Sequence, residues 1–504
     1  MQTELILPND PTYLSMARNY VQELCALAGL GSEEAQAMVL AADEACTNTI
    51  EHAFDPGEAG AYAIKSELTP LALTLAVHDR GLPFDASLAP VYRPPEEAGL
   101  EGVSTRGLGL YLIRRAADEV QWISHGREGK ELRLTKYRPH PDVTAHLPSA
   151  DLAPYRDDEP QAPPQEYRIR WLRPDETIWV SQTIYRTYGR THPNDFLYQP
   201  ERMAHMIEAG EIISAAAVDE AGELVGFSIA RPGAGRVGEL HEVAVAPQHR
   251  GRGLMKRMTV LLDDEMRRVG ARGVFSEAVT NHLFTQRVLA GAGLRDCGMT
   301  LGSSPVSQHF KAIAAGSVAQ RGSWTLAFKH LSPPVATIRY LPGHHAAMLR
   351  RIYDHLEMPV VSDAPAAGDL QAEVTSGPGE VLVSAYPSWG FGEIIVERPG
   401  SESLAEIHRA LRDLCDLAGA ESVYLELPLA HPATPALCRG AEEAGFFFSG
   451  VGPHFAHDGD VLRLQFLKSP LDTGQIQLLD PFTVELLAYI DSERARRRVS
   501  ETTG

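Results

Sequence analysis

Residues 239–254, which read ELHEVAVAPQHRGRGL, decide the fold of this chain. The stretch opens with apolar residues that predict a short strand, namely Val243, Ala244 and Val245. It then turns through Gly251 and Gly253 into a helical pattern that starts at Leu254. Glycines let backbone N–H groups approach a phosphate, and the dipole of the following helix favours negative charge. The sequence therefore predicts an anion site, to which Arg250 and Arg252 add cations.

The spacing Gln248-x-x-Gly251-x-Gly253 resembles the pyrophosphate-binding loop of the GNAT acetyltransferases, which holds coenzyme A. The alternative is an ordinary surface turn rich in arginine and glycine. The resemblance continues to about Leu294, and Asn281 looks like the asparagine that the family places near the pantetheine arm. It implies acetyl-CoA as the cofactor, bound by Val243, Ala244, Val245, Gln248, Arg250, Gly251, Arg252, Gly253, Leu254 and Asn281.

Acyl transfer to an amine requires that the amine lose a proton, which a carboxylate or a water chain usually accepts. Glu239, His241 and Glu242 are the candidates, and in a regular strand Glu242 faces away from the other two. The family's strand carries a bulge here, so the sequence leaves open whether Glu239 or Glu242 is catalytic. The position of the family's usual tyrosine acid is Leu289, so either water protonates the thiolate or the domain binds acyl-CoA more than it turns it over.

An aromatic group precedes this stretch in the chain. In the GNAT resemblance it forms the substrate side, which would receive an amine or lysine acceptor. From the sequence alone, these residues could equally be ordinary aromatic side chains of the core and of loops. The group consists of Tyr185, Tyr188, His192 and Phe196.

Composition excludes several classes of protein. A chain of 504 residues predicts about three domains, and its 44% hydrophobic and 22% charged residues are typical of globular proteins. The net charge of −20 argues against nucleic-acid binding, and no apolar segment predicts a membrane span. The five cysteines are scattered and the N-terminus lacks a signal-peptide pattern, so we expect a cytoplasmic location with reduced thiols.

A predicted helix that starts near Ser32 carries Glu44 and Asn48 four residues apart, hence on one face. A carboxylate beside an amide oxygen could act as general base and as Mg²⁺ ligand. The alternative is an exposed polar helix face, and the helix alone favours that alternative.

Two later stretches favour the functional interpretation. A strand over residues 71–77 runs into Asp79 and Gly81, and glycines recur at a helix start over residues 105–110. The ordered set resembles the ATP-binding boxes of the GHKL fold, specifically the anti-sigma-factor serine kinases. The resemblance implies that Asp79 receives the adenine amino group, that Asn48 holds Mg²⁺ and that Glu44 is the base. It assigns the rest of the ATP site to Gly81, Arg106, Gly107, Leu108 and Gly109, although Pro83 stands where the wider fold has a second glycine.

The sequence predicts the following organisation. Residues 1–137 form a GHKL (Bergerat) ATP-binding α/β sandwich, 138–165 a proline-rich linker, and 166–332 a GNAT domain. Residues 333–469 form a degenerate GNAT-like domain, and 470–504 a helical tail. The fold class is therefore α/β (α+β). In the third segment, residues 397–403 contain Pro399 and two glutamates and no G-x-G, so we expect no coenzyme A there.

Two hypotheses for function follow. The first is a bifunctional regulator that binds ATP as a serine kinase and acetylates an amine, with acetyl-CoA, ATP and Mg²⁺ as cofactors. The second is a non-catalytic switch that senses ATP and acetyl-CoA. The expected protein partner is an anti-sigma antagonist or a sigma factor, and a homodimer is possible in either case.

Overall fold

The structure is a computed structural model. It describes residues 1–54, 60–79, 113, 115–124, 129–156, 160–190, 192, 194–233, 236–305, 320–361, 379–386 and 389–502. Gly81, Arg106, Gly107, Leu108 and Gly109 of the predicted ATP site lie outside these residues.

The described helices are α1 (Leu14–Ala28), α2 (Ser32–His52), α3 (Thr177–Tyr188), α4 (Pro200–Glu208), α5 (Leu254–Arg268), α6 (Phe284–Gly291), α7 (Ala346–His355), α8 (Ser403–Arg412), α9 (Thr434–Glu443) and α10 (Pro481–Thr502). The described strands are β1 (Gln2–Pro8), β2 (Ala61–Leu68), β3 (Ala72–Asp79), β4 (Glu119–Ser124), β5 (Lys130–Tyr137), β6 (Arg168–Trp171), β7 (Ile213–Val218), β8 (Leu224–Arg231), β9 (Val237–Val245), β10 (Gly273–Val279), β11 (Arg295–Ser304), β12 (Gly322–His330), β13 (Thr337–Ile338), β14 (Val360–Val361), β15 (Glu380–Tyr386), β16 (Phe391–Arg398), β17 (Ser422–Pro428), β18 (Phe447–Ala456) and β19 (Gly459–Leu467). No helix in the described part of the chain is both long and apolar enough to cross a membrane.

The chain forms two compact units. The first comprises Met1–Pro139, Ala364–Phe447 and Leu464–Pro470. The second comprises His140–Asp363, Phe448–Arg463 and Leu471–Gly504. The third predicted segment therefore contributes residues to both units.

In the first unit, antiparallel pairing runs in the order β1, β2, β3, β5, β4 and β15, and then on to β16. Strand β17 follows in parallel. Helices α1 and α2 bury an apolar face on this sheet that includes Val21 and Met38 from the helices and Leu73 and Leu75 from β3. Complete burial of each such side chain contributes about 1.5–3 kcal/mol.

The ends of α1 and α2 follow from local chemistry. Gly29 takes a left-handed φ of 75° and ends α1. Helix α2 begins at Ser32, and Gly31 occupies its N-cap position. The Glu34 carboxylate accepts from the Gly31 N–H at 3.1 Å, which satisfies one of the donors at the helix start.

In the second unit, antiparallel pairing joins β6, β7, β8 and β9, and β9 continues in parallel to β10. Strands β12 and β11 follow in antiparallel pairing. Beyond β11 lies β18, where Gly298 pairs with Gly450. Helix α5 packs on this sheet through residues spaced four apart, each at most 2% exposed: Leu254, Met258, Leu262 and Met266.

The described part of the proline-rich linker packs on the second unit. Val143 is fully buried, and the Arg186 guanidinium lies 3.8 Å from the centre of the Tyr155 ring. Further along, the Ala162 N–H donates to the Gln248 carbonyl at 2.9 Å. A spacer was predicted from the proline density, but these contacts attach the segment to the domain that follows it.

Candidate functional site

The glycine loop that follows β9 has the geometry of an anion site. Gly251 and Gly253 have φ values of 76° and 68°, and a Cβ on either glycine would meet open space. Among the described residues, none accepts a hydrogen bond from the N–H groups of Gly251, Arg252 or Gly253. Gly253 occupies the N-cap position of α5. The loop therefore presents unused backbone donors and space beside a helix N-terminus, as binding of a pyrophosphate requires.

The two arginines of this loop already have partners in the protein. The Arg250 Nε donates to the Val245 carbonyl at 3.1 Å. The Arg252 guanidinium donates to the Ala162 carbonyl and lies 5.6 Å from the centre of the Tyr167 ring. Backbone donors therefore form the anion site in this structure, and the role of the two side chains in binding stays a prediction.

Strands β9 and β10 separate close to this loop. Their parallel pairing covers three register pairs and ends at Phe275 and Glu239. Beyond that point the Ser276 hydroxyl donates to the Leu240 carbonyl at 2.7 Å, and the backbone of Val243 and Val245 pairs with β8 alone in the described sheet. The gap leaves backbone groups of β9 available to an extended ligand. A pantetheine arm is a ligand of this shape.

Two predicted cofactor residues hold buried oxygens that have no hydrogen-bond partner among the described residues. They are the side-chain oxygens of Gln248 and Asn281. Leaving a buried acceptor unpaired costs about 1–3 kcal/mol, so such atoms mark places where a ligand donor fits. Together with the loop and the gap, they show that the residues present fit acetyl-CoA.

The bulge in β9 lies at the predicted catalytic residues. Ile229 pairs with Glu242 and Ala230 pairs with Leu240, which leaves His241 as the extra residue. Leu240 packs in the core against α5. The bulge brings Glu239, His241 and Glu242 into one polar group, which an alternating strand would have divided between two faces.

The residues around the bulge form one hydrogen-bonded network, here named the acid–histidine cluster: His192, Asn194, Glu239, His241 and Glu242. The Glu242 carboxylate lies 2.8 Å from His192 Nε2, and the Glu239 carboxylate lies 3.1 Å from His241 Nδ1. Asn194 joins the two pairs, because its N–H donates to His192 Nδ1 and its Nδ2 lies 3.2 Å from His241 Nε2. Each neutral imidazole can therefore donate to a carboxylate and accept from Asn194.

Both carboxylates of the cluster favour the ionised form. Burial raises the pKa of Glu242, but the attraction of His192 and His241 brings it below its ordinary value. Burial likewise raises the pKa of Glu239. The influence of His241 and Arg231 outweighs burial, so this pKa too lies below its ordinary value. Both groups are therefore anions near neutral pH and can attract an ammonium group.

The aromatic group predicted for the substrate side surrounds this cluster. Tyr188 and His192 lie edge to face at 5.0 Å, and Phe196 stacks on His241 at 5.9 Å. Burial and the neighbouring Glu242 raise the pKa of Tyr188, while Arg250 opposes the shift. Leu289, at the position of the family's tyrosine acid, is 7% exposed and lies in the apolar core.

Sequence reasoning missed Asn194 and Arg231. Asn194 precedes the 3₁₀ turn Asp195–Tyr198, and Arg231 ends β8 opposite Glu239. Neither belongs to a motif, and only the pairing of β8 with β9 and the folding of a distant loop bring them to the cluster. No signal in a single sequence could have identified them.

In the first unit, Asp79 ends β3 and is 2% exposed. The Thr49 hydroxyl donates to its carboxylate at 3.3 Å, and Lys130 Nζ lies 3.8 Å from the same oxygen. Burial lowers the pKa of Lys130, and Asp79 opposes that shift. Thr49 follows Asn48 in α2, so the helix segment that carries the predicted Mg²⁺ ligand lies against the end of β3 that carries the predicted adenine receptor. Lys130 is a further residue that the sequence did not indicate.

Glu44 and Asn48 lie on α2, as predicted, and both are partly buried. Burial, with the negative charges of Asp43 and Glu51, raises the pKa of Glu44. A raised pKa makes the carboxylate a stronger proton acceptor near neutral pH. The role of Glu44 and Asn48 in ATP binding stays a prediction, and the glycines predicted for the phosphates lie outside the described residues.

The third segment has a closed loop at the position of the glycine loop. Pro399 and Gly400 are buried, and the Gly400 N–H donates to the Ser403 hydroxyl at 2.8 Å. The donor that could face a phosphate is thus used within the protein.

Comparison with known proteins finds relatives for two segments of the chain. The family model described as histidine kinase-like ATPase domain matches residues 7–136, and the model of the acetyltransferase (GNAT) family matches residues 176–291. The serine-protein kinase RsbW of Listeria innocua is 32% identical over 135 residues, which are 26% of this chain and 85% of that protein. The RsbW protein of Bacillus subtilis is 30% identical over 139 residues, 27% of this chain and 84% of the relative.

Among solved structures, Arabidopsis thaliana NAA60 in complex with acetyl-CoA is similar, with 17% identity and a TM-score of 0.26. The likeness covers 33% of this chain and 98% of that one. The chain belongs to the histidine kinase-like ATPase family through its N-terminal domain, which is related to the RsbW serine kinases, and a GNAT acetyltransferase domain follows.

Proposed function

We propose that this protein is a bifunctional regulator that binds Mg·ATP through residues 1–137 and acetylates an amine through residues 166–332. The observation that supports the acetyltransferase role most directly is the acid–histidine cluster at the bulge of β9, on the strand that leads into the open glycine loop. One continuous segment of chain therefore carries both an ionised carboxylate and the glycine loop that forms the anion site.

Acetyl-CoA, when bound, supplies the thioester that the amine attacks. The glycine loop holds its phosphates with the N–H groups of Gly251, Arg252 and Gly253. Glu242 accepts the proton of the attacking amine, because it lies at the bulge of β9, on the strand that leads into this loop. His192 is a positioning residue that holds Glu242 by a 2.8 Å contact. With Leu289 in the core, water protonates the leaving thiolate.

In the ATP-binding domain, Asp79 receives the adenine amino group, Asn48 holds Mg²⁺ and Glu44 accepts the proton of a serine hydroxyl. The kinship with serine-protein kinases supports a protein serine as phosphate acceptor. The partner in this proposal is a small regulatory protein such as an anti-sigma antagonist or a sigma factor.

The replacement Glu242→Gln tests the acetyltransferase assignment in the full chain. Loss of the base should lower the rate of amine-dependent coenzyme A release by about 10²–10⁴-fold. Affinity for acetyl-CoA, measured by calorimetry, should stay at the wild-type value. The control is Glu265→Gln on α5, where the carboxylate pairs with Arg268 on the helix that packs on the other face of the sheet, and it should leave both measurements unchanged.

Leu289 favours a second candidate, a switch that senses ATP and acetyl-CoA without turnover. Tight binding of acetyl-CoA with no coenzyme A release for any amine would support that switch and overturn the enzymatic proposal. Wild-type turnover in Glu242→Gln would show that the base lies elsewhere.

A further inference from the structure

Arg231 is a cation of the acceptor site that the acyl transfer does not use. It ends β8 and is the register partner of Glu239 on β9, whereas the next pair, Ala230 and Leu240, faces the core around α5. Since side chains alternate along a strand, Arg231 and Glu239 share the opposite face, which carries the acid–histidine cluster.

Arg231 and Glu239 are neighbours that do not pair with each other. Side chains of register partners start about 4.5–5.5 Å apart, close enough for an ion pair. Glu239 instead binds His241 at 3.1 Å. The Arg231 guanidinium lies 5.6 Å from the centre of the Phe196 ring, and its charge lowers the pKa of Glu239 without forming an ion pair with it. The site therefore presents a cation and an anion side by side, each with hydrogen-bonding capacity left for a ligand.

Phe196 fixes the orientation of both charges. Its ring stacks on His241 with an interplanar angle of 11° and lies against Arg231. His241 in turn holds Glu239 and contacts Asn194. The Phe196 ring thus contacts both the imidazole that holds Glu239 and the guanidinium of Arg231.

We propose that the acceptor is a free α-amino acid, whose carboxylate binds Arg231 while its ammonium group is held by Glu239 beside Glu242. In such an acceptor a single carbon separates the two charged groups, which matches neighbouring positions across two strands. A guanidinium is suited to a carboxylate because its donors match two oxygens at once. A polyamine or a lysine side chain offers no anion to Arg231 and would place a second cation against it. The inference rests on the proposed acetyltransferase function.

The test compares standard L-amino acids with their carboxamides as acceptors for the full chain, measured as kcat/KM for coenzyme A release with products identified by mass spectrometry. Spermidine serves as an acceptor without a carboxylate. The wild-type protein should prefer at least one free amino acid over its carboxamide. Loss of a charge-assisted bidentate contact should lower that preference about 10- to 100-fold in Arg231→Gln.

Two variants make the result specific. Arg231→Lys keeps the charge and should restore part of the preference, whereas Arg268→Gln, at a site 71% exposed on α5, should leave it unchanged. Unchanged affinity for acetyl-CoA shows that Arg231→Gln is folded. Equal use of acids and carboxamides, a preference that survives Arg231→Gln, or turnover of spermidine alone overturns the inference and leaves the acetyltransferase proposal intact. Absence of turnover with every amine overturns both.

Discussion

Asp79 and Glu44 illustrate how single residues divide the work of the ATP-binding domain. Asp79 is almost fully buried at the end of β3, where Thr49 and Lys130 hold its carboxylate in place. Glu44 lies on α2 and is only partly buried, in a negative environment. In the proposed function, Asp79 stays fixed and accepts a hydrogen bond from adenine, and Glu44, whose pKa is raised, accepts a proton.

These roles predict that replacing each carboxylate by an amide of the same size affects a different property, ATP affinity in one case and phosphotransfer in the other. Asp79→Asn replaces an acceptor by a group that presents a donor, so ATP affinity should fall about 10- to 100-fold. Glu44→Gln should bind ATP as the wild-type protein does and lose phosphotransfer by about 10²–10⁴-fold. Calorimetry with Mg·ATP and labelled phosphate transfer to protein separate the two. Wild-type ATP affinity in Asp79→Asn would show that the adenine site is elsewhere.

The raised pKa of Glu44 gives the same variant a second readout. A folded-state pKa above the unfolded value stabilises the fold at low pH, and that contribution is lost as the pH rises through the raised pKa. The Glu44→Gln variant does not titrate at this position. Its melting temperature should therefore exceed that of the wild-type protein near neutral pH, and the difference should shrink in acid. A melting temperature below the wild-type value at neutral pH would show that Glu44 stabilises the fold.

What the sequence revealed at this scale depended on local spacing. Glu44 and Asn48 are four apart, and helical geometry alone puts them on one face. Asn194 and Lys130 reach their sites only through tertiary structure. The choice between Glu239 and Glu242 could not be made from sequence either, because it depends on a bulge that binary patterning does not encode.

At the scale of elements, the glycine loop and α5 form the part of the acetyltransferase site that sequence predicted best. Each of its requirements is local: a strand, two residues with positive φ, and an apolar face spaced four apart. The gap between β9 and β10 is different, because it depends on where parallel pairing stops. Pairing of distant strands leaves little trace in a single sequence.

Substitutions in the glycine loop should weaken acetyl-CoA binding beyond their effect on fold stability. A glycine of the same conformation outside the loop serves as the control. Gly251 and Gly270 both have a left-handed φ and open space around a Cβ, but only Gly251 belongs to the loop. Gly251→Ala and Gly270→Ala should each destabilise the fold by about 1–2 kcal/mol. Only Gly251→Ala should weaken acetyl-CoA binding, and Gly251→Glu should abolish it, because a carboxylate would occupy and repel the phosphate position.

Denaturant unfolding and acetyl-CoA titration of the same samples measure both effects. Equal loss of affinity in the Gly251 and Gly270 variants would attribute the change to general destabilisation. Unchanged affinity in Gly251→Glu would remove the phosphates from this loop.

At the scale of the whole molecule, the third segment contributes residues to both compact units. Strand β15 pairs with β4 over five register pairs, from Val381 with Ser124 to Ala385 with Val120, so the sheet of the ATP-binding domain continues into this segment. Residues 448–463 belong to the other unit, where Gly450 pairs with Gly298. Contacts across such sequence separations are set by the complete fold. The predicted domain boundaries and the degenerate GNAT-like repeat stay predictions.

The same segment yields a prediction about how many acetyl-CoA molecules the full chain binds. At Gly251 and Gly253 the N–H groups meet no acceptor among the described residues. At the corresponding loop of the third segment, the Gly400 N–H is taken by Ser403, and a Cβ on the neighbouring Gly379 would lie 2.5 Å from that hydroxyl. Pro399 has no N–H to offer, and Glu397 and Glu402 repel phosphate. A phosphate at this loop would have to break an internal hydrogen bond and approach two carboxylates.

We therefore expect one acetyl-CoA per chain, and none after Gly251→Glu. Calorimetric titration of the full chain gives this stoichiometry directly. Ser403→Ala supplies the sharper control, because it frees the Gly400 N–H without opening the buried loop, and the stoichiometry should stay at one. A second site that survives Gly251→Glu would contradict the assignment. A second site that appears only in Ser403→Ala would instead show that the Ser403 hydrogen bond alone closes the loop, against the view that the proline, the glutamates and burial also exclude phosphate.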